Sequence, residues 1–337
     1  MKTVLFLFSF ILLSGCEKTN DTSERYNFTF TKIGEINLQN SLLTGANRIL
    51  RNETHIYILD TRLGKIFRYD STGKNLGDFG GEGSGPGEFR KAVSFDFGSH
   101  NTLYVYDRDL QRISEFDLEG TFKRLIPVKA LGTQLIATNT KFLLHNSTVL
   151  SHEKPMVKVI DMDSGEIVKE ISPLSDLVAD LGFGISGPAL FGVTESESKI
   201  HVLQHPFHLK LFSYDKAGVI KKFEKELSSD FFVKPDFSNF NRYSDKVEER
   251  TNASIYAVFS SEEKIFFIYD EFHTPDRYMD IFDYDGNLLN KAPVKLGGAY
   301  PIHFFENIFY SLAYKDTVNI EQGFKLNTYT LEVSDSE

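Results

Sequence analysis

The sequence predicts an all-β fold: a six-bladed β-propeller of four-stranded antiparallel blades, with the ring closed by the N-terminal strand. Three observations carry that expectation. Asp60 to Asp107, Asp70 to Asp117 and Gly73 to Gly120 are each 47 residues apart, so one unit repeats at a fixed period. Each period holds several short runs of β-branched and aromatic residues bounded by polar turns, as propeller blades do. The final unit lacks a fourth strand, and a strand without a neighbour of its own lies at the other end of the chain.

From the N-terminus, Lys2 precedes an uncharged apolar run from Thr3 to Leu13. Such a run is too short to cross about 30 Å of hydrocarbon as a helix, so it reads as a secretory signal and not as a membrane span. Its ending, Leu13-Ser14-Gly15-Cys16, resembles the lipobox of bacterial lipoproteins, in which the cysteine becomes the acylated first residue. That resemblance implies a signal peptide over 1–15 and a lipid on Cys16 that holds the chain to the outer membrane. The attached domain would face either the periplasm or the cell surface. Glu17 to Arg25 is polar without apolar periodicity, which makes 16–27 a flexible tether. Cys16 is the one cysteine in the chain, so no intrachain disulfide framework exists and burial must stabilise 28–337.

Composition narrows the partners. The formal charge is −10, and losing 1–15 removes Lys2 alone among charged residues. An acidic chain without a basic cluster is unsuited to a phosphate backbone, so no nucleic acid is expected.

The units can then be followed in order. A strand ending in Asp-x-x-Gly recurs at Asp70–Gly73, Asp117–Gly120, Asp215–Gly218 and Asp283–Gly286, with a stretched form at Asp161–Gly165. In such hairpins the aspartate accepts from turn backbone and the glycine takes a positive φ. The preceding partner strands are expected at Ile56–Leu59, Leu103–Tyr106, Phe142–Leu144, Ile200–Leu203 and Ile265–Tyr269. A sixth pair, Asn307–Leu312 and Phe324–Tyr329, closes the series, and Phe28–Leu38 is the donor of its missing strand. Pairing the first strand with the last blade would remove the exposed edges of an open array. Two stretches break the period, 173–186 and 228–252, and are expected as excursions between blades on one face.

Gly85-Pro86-Gly87-Glu88-Phe89, the Leu103–Asp107 strand and the Arg112–Asp117 strand resemble an NHL repeat. With the lipobox, the chain resembles the six-bladed propeller lipoproteins of the Bacteroides group. The resemblance is specific in the first two units, recognisable in the fourth and fifth, and weak in the third and sixth. It implies architecture and compartment, and no particular activity. Where NHL repeats end the second strand with aspartate, this chain keeps Asp60, Asp107 and Asp270 but has His145 and Gln204 in the third and fourth units.

The chemistry is less legible. The glycine-rich loop Gly80–Gly87 is followed by no Gly-Lys-Ser/Thr and leads into a strand, so it is a crossover and not a phosphate loop. Asp161 to Gly165 and Asp283 to Gly286 begin like calcium loops, yet Ser172 and Val294 stand where an EF-hand needs glutamate. Neither Gly-x-Ser-x-Gly nor His-Glu-x-x-His is present, and no catalytic residue can be assigned.

The connections between second and third strands gather at one mouth of a propeller channel. There the chain carries Arg62, Arg108, His152, His205, His208, His273 and Arg277. Such a ring could hold an anionic ligand, or ligate Zn²⁺ or Ca²⁺. Phe207, Phe272 and Tyr278 could stack on a sugar or peptide side chain. The favoured expectation is a lipid-anchored module that binds a glycan, a peptide or another envelope protein and needs no cofactor. The alternative is a metal-dependent lyase or hydrolase built on the axial histidines.

Overall fold

A computed structural model describes residues 24–39, 43–99, 101–145, 149–150, 157–171, 185–186, 191–195, 199–204, 210–215, 221–227, 253–261, 263–271, 276–297, 299, 301–314 and 323–334. The chain begins with β1 (Asn27–Asn37), which belongs to the last sheet. The first sheet is β2 (Ala46–Arg51), β3 (His55–Asp60), β4 (Lys65–Asp70) and β5 (Asn75–Gly80). The second is β6 (Ala92–Gly98), β7 (Thr102–Asp107), β8 (Arg112–Asp117) and β9 (Phe122–Pro127). In the third, β10 (Gln134–Ala137), β11 (Lys141–His145), β13 (Val157–Asp161) and β14 (Ile167–Ile171) pair, while β12 (Val149–Leu150) leaves to pair with β15 (Ile185–Ser186).

The fourth sheet is β16 (Phe191–Glu195), β17 (Lys199–Gln204), β18 (Lys210–Asp215) and β19 (Lys221–Glu226). The fifth is β20 (Ala253–Ser260), β21 (Lys264–Glu271), β22 (Arg277–Asp283) and β23 (Val294–Lys295). The sixth orders β24 (Pro301–Phe305), β25 (Ile308–Tyr314) and β26 (Phe324–Ser334) with β1 outermost. Every ladder is antiparallel, and all join sequence neighbours except β11 with β13, β12 with β15, and β1 with β26, the last running from Asn27↔Ser334 to Asn37↔Lys325. The protein is thus an all-β propeller with four-stranded blades.

Its core lies in layers between adjacent blades. Second strands such as His55-Ile-Tyr-Ile-Leu-Asp60 are buried on both faces, because they sit inside a sheet that is itself flanked by sheets. Tyr57, Leu59 and Ile66 of the first blade meet Phe89, Phe95, Leu103, Val105 and Phe116 of the second. Tyr104, Tyr106 and Ile113 of the second meet Leu135, Phe142, Leu144 and Ile160 of the third. Ile49, Ile58, Phe67 and Tyr69 of the first also meet Tyr310 and Leu326 of the sixth sheet. The first strands of the blades are neighbours along the inside: β2 lies beside β6, β6 beside β10, β16 beside β20, and β24 beside both β20 and β2.

The Asp-x-x-Gly hairpins at Asp70, Asp117, Asp161 and Asp283 form as the spacing predicts, while Gly218 lies outside the described residues. Asp70 Oδ1 accepts from the Thr72 and Lys74 amides at 2.9 and 3.0 Å, and Gly73 takes φ 89°. Asp161 and Asp283 accept turn amides in the same way, so both near-calcium motifs are hairpin turns. Each turn also seats on the outer strand of the preceding blade. A Cβ on Gly120 would lie 2.4 Å from the Phe79 ring of β5, and one on Gly165 2.0 Å from the Pro127 carbonyl of β9. On Gly73 it would lie 2.3 Å from the Asn37 carbonyl of β1. Toward the first blade, β1 therefore occupies the place that β5 and β9 occupy toward the next ones.

Candidate functional site

At the mouth where second strands end, one carboxylate organises each of the first two blades. Asp60 is buried; its Oδ2 accepts the Gly45 amide at 2.9 Å as well as that of Thr44, and its Oδ1 accepts the Arg62 and Leu63 amides at 3.0 and 3.1 Å. Asp107 repeats the arrangement, with Arg90 at 2.7 Å on Oδ2 and Asp109 and Leu110 at 3.0 and 2.9 Å on Oδ1. One side chain thus fixes both its own turn and the loop that enters the blade. A carboxylate with several backbone donors tolerates burial because its charge is matched on every lone pair. Burial pushes the Asp60 carboxyl up, the four amides pull it down further, and the net position is below the ordinary aspartate range.

This geometry explains what the family pattern alone did not: the strand-ending aspartate is the fastener of the mouth loops. It also places the predicted cations. Arg62 is exposed and stands two residues after Asp60, whereas Arg108 follows Asp107 directly and lies 3.7 Å from Asp109. The Thr61 and Arg108 amides make equivalent bonds, to the Gly45 and Lys91 carbonyls at 3.2 and 3.0 Å. Arg108 therefore corresponds to Thr61, and the residue equivalent to Arg62 is Asp109. Between these blades the mouth presents the cations Arg62, Arg90, Lys91 and Arg108 beside the exposed Asp109, with Asp60 and Asp107 buried beneath.

Arg277 is the first residue of β22 and not part of the connection. Its guanidinium pairs with Asp270 of β21 and lies 3.8 Å from the centre of the Tyr256 ring, so it is held inside the blade. Tyr278 beside it stacks on Tyr269 at 6.1 Å. His152, His205, His208 and His273, with Phe207 and Phe272, lie outside the described residues, as does Cys16 with the whole of 1–15. Among the described residues, no three His, Cys, Asp or Glu side chains gather as a metal site. The 228–252 excursion is also outside them. The end of 173–186 is described, and there Leu150 pairs with Ile185 and Val149 with Ser186. This excursion therefore folds back onto the connection that carries His152.

The glycine-rich loop is rigidly held. Arg112 donates to the carbonyls of Ser84, Gly85 and Glu88 at 2.8–2.9 Å, and Glu88 Oε2 accepts the Gly85 amide at 2.8 Å. Its cations and carbonyls close on one another, which suits a crossover between the first two blades.

Sequence reasoning missed a set of buried polar groups nearer the axis. His145, at the position of the missing third aspartate, is 1 % exposed, and burial pushes its imidazole down to about 3 with Arg48 adding repulsion. Ser94 Oγ and Asp96 Oδ2 of β6 each accept a β10 amide at 2.9 Å, from Leu135 and Ala137. His303 of β24 does the same for β2, accepting the Arg51 amide on Nε2 at 3.1 Å. Alternating strand positions carried no signal for these, since a buried polar residue in a strand is indistinguishable from one facing water.

With this architecture in view, comparison with known proteins is informative. The family described as a domain of unknown function, DUF4934, matches residues 37–319. The chain belongs to the DUF4934 family. No curated protein matches its sequence. Among solved structures, this DUF4934 chain is similar to a member of the DUF4221 family from Bacteroides vulgatus ATCC 8482, with TM-score 0.62 and 10 % identity over 92 % of this chain and 100 % of the other. It is similar to a protein classed as exported from Bacteroides fragilis NCTC 9343, with TM-score 0.59 and 13 % identity over 92 % and 96 %. A catalytically inactive virginiamycin B lyase from Staphylococcus aureus, solved with quinupristin, gives TM-score 0.52 and 12 % identity over 93 % and 96 %. At such identities the likeness is one of fold.

Proposed function

We propose that this DUF4934 chain is an exported, lipid-anchored propeller that works as a ligand-binding or protein-scaffolding module. In this reading the six four-stranded sheets are six blades of one ring, and β1 completes the last of them. The observation that carries the functional part is the pair of buried aspartates: Asp60 and Asp107 each hold two loops of the mouth through four backbone donors. Loops fixed to a rigid scaffold present their side chains without paying much ordering entropy on binding. The ligand sits on that mouth, with Arg62 and Arg108 contributing and the excursions 173–186 and 228–252 shaping the rim. Its cations Arg62, Arg90, Lys91 and Arg108 favour a partner with acidic groups or many hydroxyls, such as a peptide segment or glycan of the envelope.

The exported neighbour from Bacteroides fragilis and the Leu13–Cys16 motif support an envelope location, and Cys16 carries the lipid. Two experiments test the reading. Metabolic labelling with palmitate should mark the wild-type chain and not Cys16→Ser; an unlabelled wild type removes the anchor. Binding of the detergent-solubilised chain to glycan and peptide arrays should be lost in an Arg62→Ala, Arg108→Ala variant whose melting temperature is unchanged. Full binding by that variant would move the ligand away from the mouth.

A further inference from the structure

The place where the two chain ends meet is built differently from the other blade contacts. No chain segment passes directly from β24–β26 to β2–β5; β1 is continuous with β2 and joins the sixth sheet through its ladder with β26 and the packing of Phe30 on Phe309. The remaining links are the apolar layer of Ile49, Phe67, Tyr69, Tyr310 and Leu326, the Leu38 amide on the Phe324 carbonyl at 3.1 Å, and the His303–Arg51 bond. That last bond is the inner link, and its acceptor is a ring nitrogen.

Nε2 of His303 can accept the Arg51 amide only while it is unprotonated. The Arg51 guanidinium is close by, 5.2 Å from the centre of the Tyr310 ring, and the His303 ring is 6.0 Å from that same ring. Protonation would turn the acceptor into a donor facing a donor and add a second positive charge beside Arg51. Among the described residues, Arg51 on β2 is the charged group that acts on His303. Tyr310 on β25 is the other titratable neighbour, and Glu306 in the turn after β24 acts on Tyr310. We propose that the seam between the sixth and first sheets is an acid-sensitive clasp, which His303 holds shut when neutral and loosens when protonated.

The surroundings keep His303 neutral well below the usual histidine range: burial pushes it down to about 4, and the Arg51 guanidinium pushes the same way. The clasp is therefore fully engaged above about pH 6.5 and is lost progressively toward pH 4. Full linkage over that interval is on the order of 300-fold in the opening equilibrium. His303 is half-buried, so an effect of about tenfold is the conservative expectation.

Amide hydrogen exchange of the full chain in detergent tests this, with rates compared with those of unstructured peptides at each pH. From pH 7.5 to 5.0, segments covering β1, β2, β24 and β26 should lose at least about tenfold in protection while β6–β9 keep theirs. His303→Gln supplies a carbonyl acceptor that does not titrate, and its seam protection should be the same at both pH values. Unchanged protection in the wild type, a loss spread evenly over all blades, or the same acid effect in His303→Gln would each overturn the proposal. Should His303→Gln already lack protection at pH 7.5, ¹³C-histidine NMR of the wild type decides. Two imidazoles, those of His145 and His303, should stay neutral below pH 5; fewer than two would overturn it.

Discussion

The second and third blades meet the same requirement with different chemistry. At the end of β7, Asp107 is buried and surrounded by backbone donors from two loops. At the end of β11, His145 is equally buried, but burial and Arg48 keep it neutral. The carboxylate ties the mouth loops together through its two oxygens; the imidazole occupies the equivalent place without charge. Position in the repeat sets where a polar group goes, while residue type sets whether it is a carboxylate or a neutral ring.

The largest expected effect comes from removing the fastener. Asp107→Ala leaves the part-buried Arg90, Lys91, Asp109 and Leu110 amides without this acceptor, and should cost about 3 kcal/mol, read as a lower urea midpoint at unchanged slope. Asp107→Asn keeps one oxygen and should lose roughly half of that; equal stability of wild type and Asp107→Ala would refute the fastening role. Next comes the turn beneath. Gly165→Ala must hold φ 73° and bring a Cβ against the Pro127 carbonyl, so a loss of about 2 kcal/mol is expected in thermal melts.

The first and third blades should also part company in their response to acid. A buried imidazole lowered from 6.5 to about 3 contributes stability that is complete above pH 6.5 and falls continuously toward pH 3. A carboxylate lowered from 3.8 contributes stability that is complete above its unfolded value and falls only below it, as with Asp60. Urea midpoints between pH 7 and 4.5 should therefore flatten in His145→Asn and keep the wild-type slope in Asp60→Asn. A parallel slope in both variants would show that neither group is responsible. The smallest effect belongs to the exposed Arg62: its change to alanine should alter stability by no more than about 0.5 kcal/mol, whatever it does to binding.

Much of this frame was legible in the sequence, for identifiable reasons. The Asp-x-x-Gly turns carry their own local chemistry, so Gly73, Gly120, Gly165 and Gly286 all adopt the positive φ that the spacing predicts. The expected strand Phe28–Leu38 appears as Asn27–Asn37 against β26, because the last sheet had no other fourth strand to use. The mouth was harder to read. Counting from strand ends placed Arg62 and Arg108 together, but a shift of one residue after each aspartate gives them unlike positions. Arg277 was taken into the connection because strand ends are uncertain by a residue or two; its pairing with Asp270 extends the ladder instead. The inner polar contacts of Ser94, Asp96 and His303 had no local signature at all, since each partner lies in another blade.

The pairing of β1 with β26 has a consequence for how the molecule is made. β1, which precedes every other described strand in the chain, finds its ladder only when residues 325–334 arrive. Until then it is a free edge carrying Phe28 and Phe30, whose packing partners Phe309 and Tyr329 lie near the other end of the chain. A message truncated before Phe324 would yield blades with an unsatisfied leading strand, a form open to proteolysis and to pairing with another copy. The last sheet gains its outer strand only once β26 has been made.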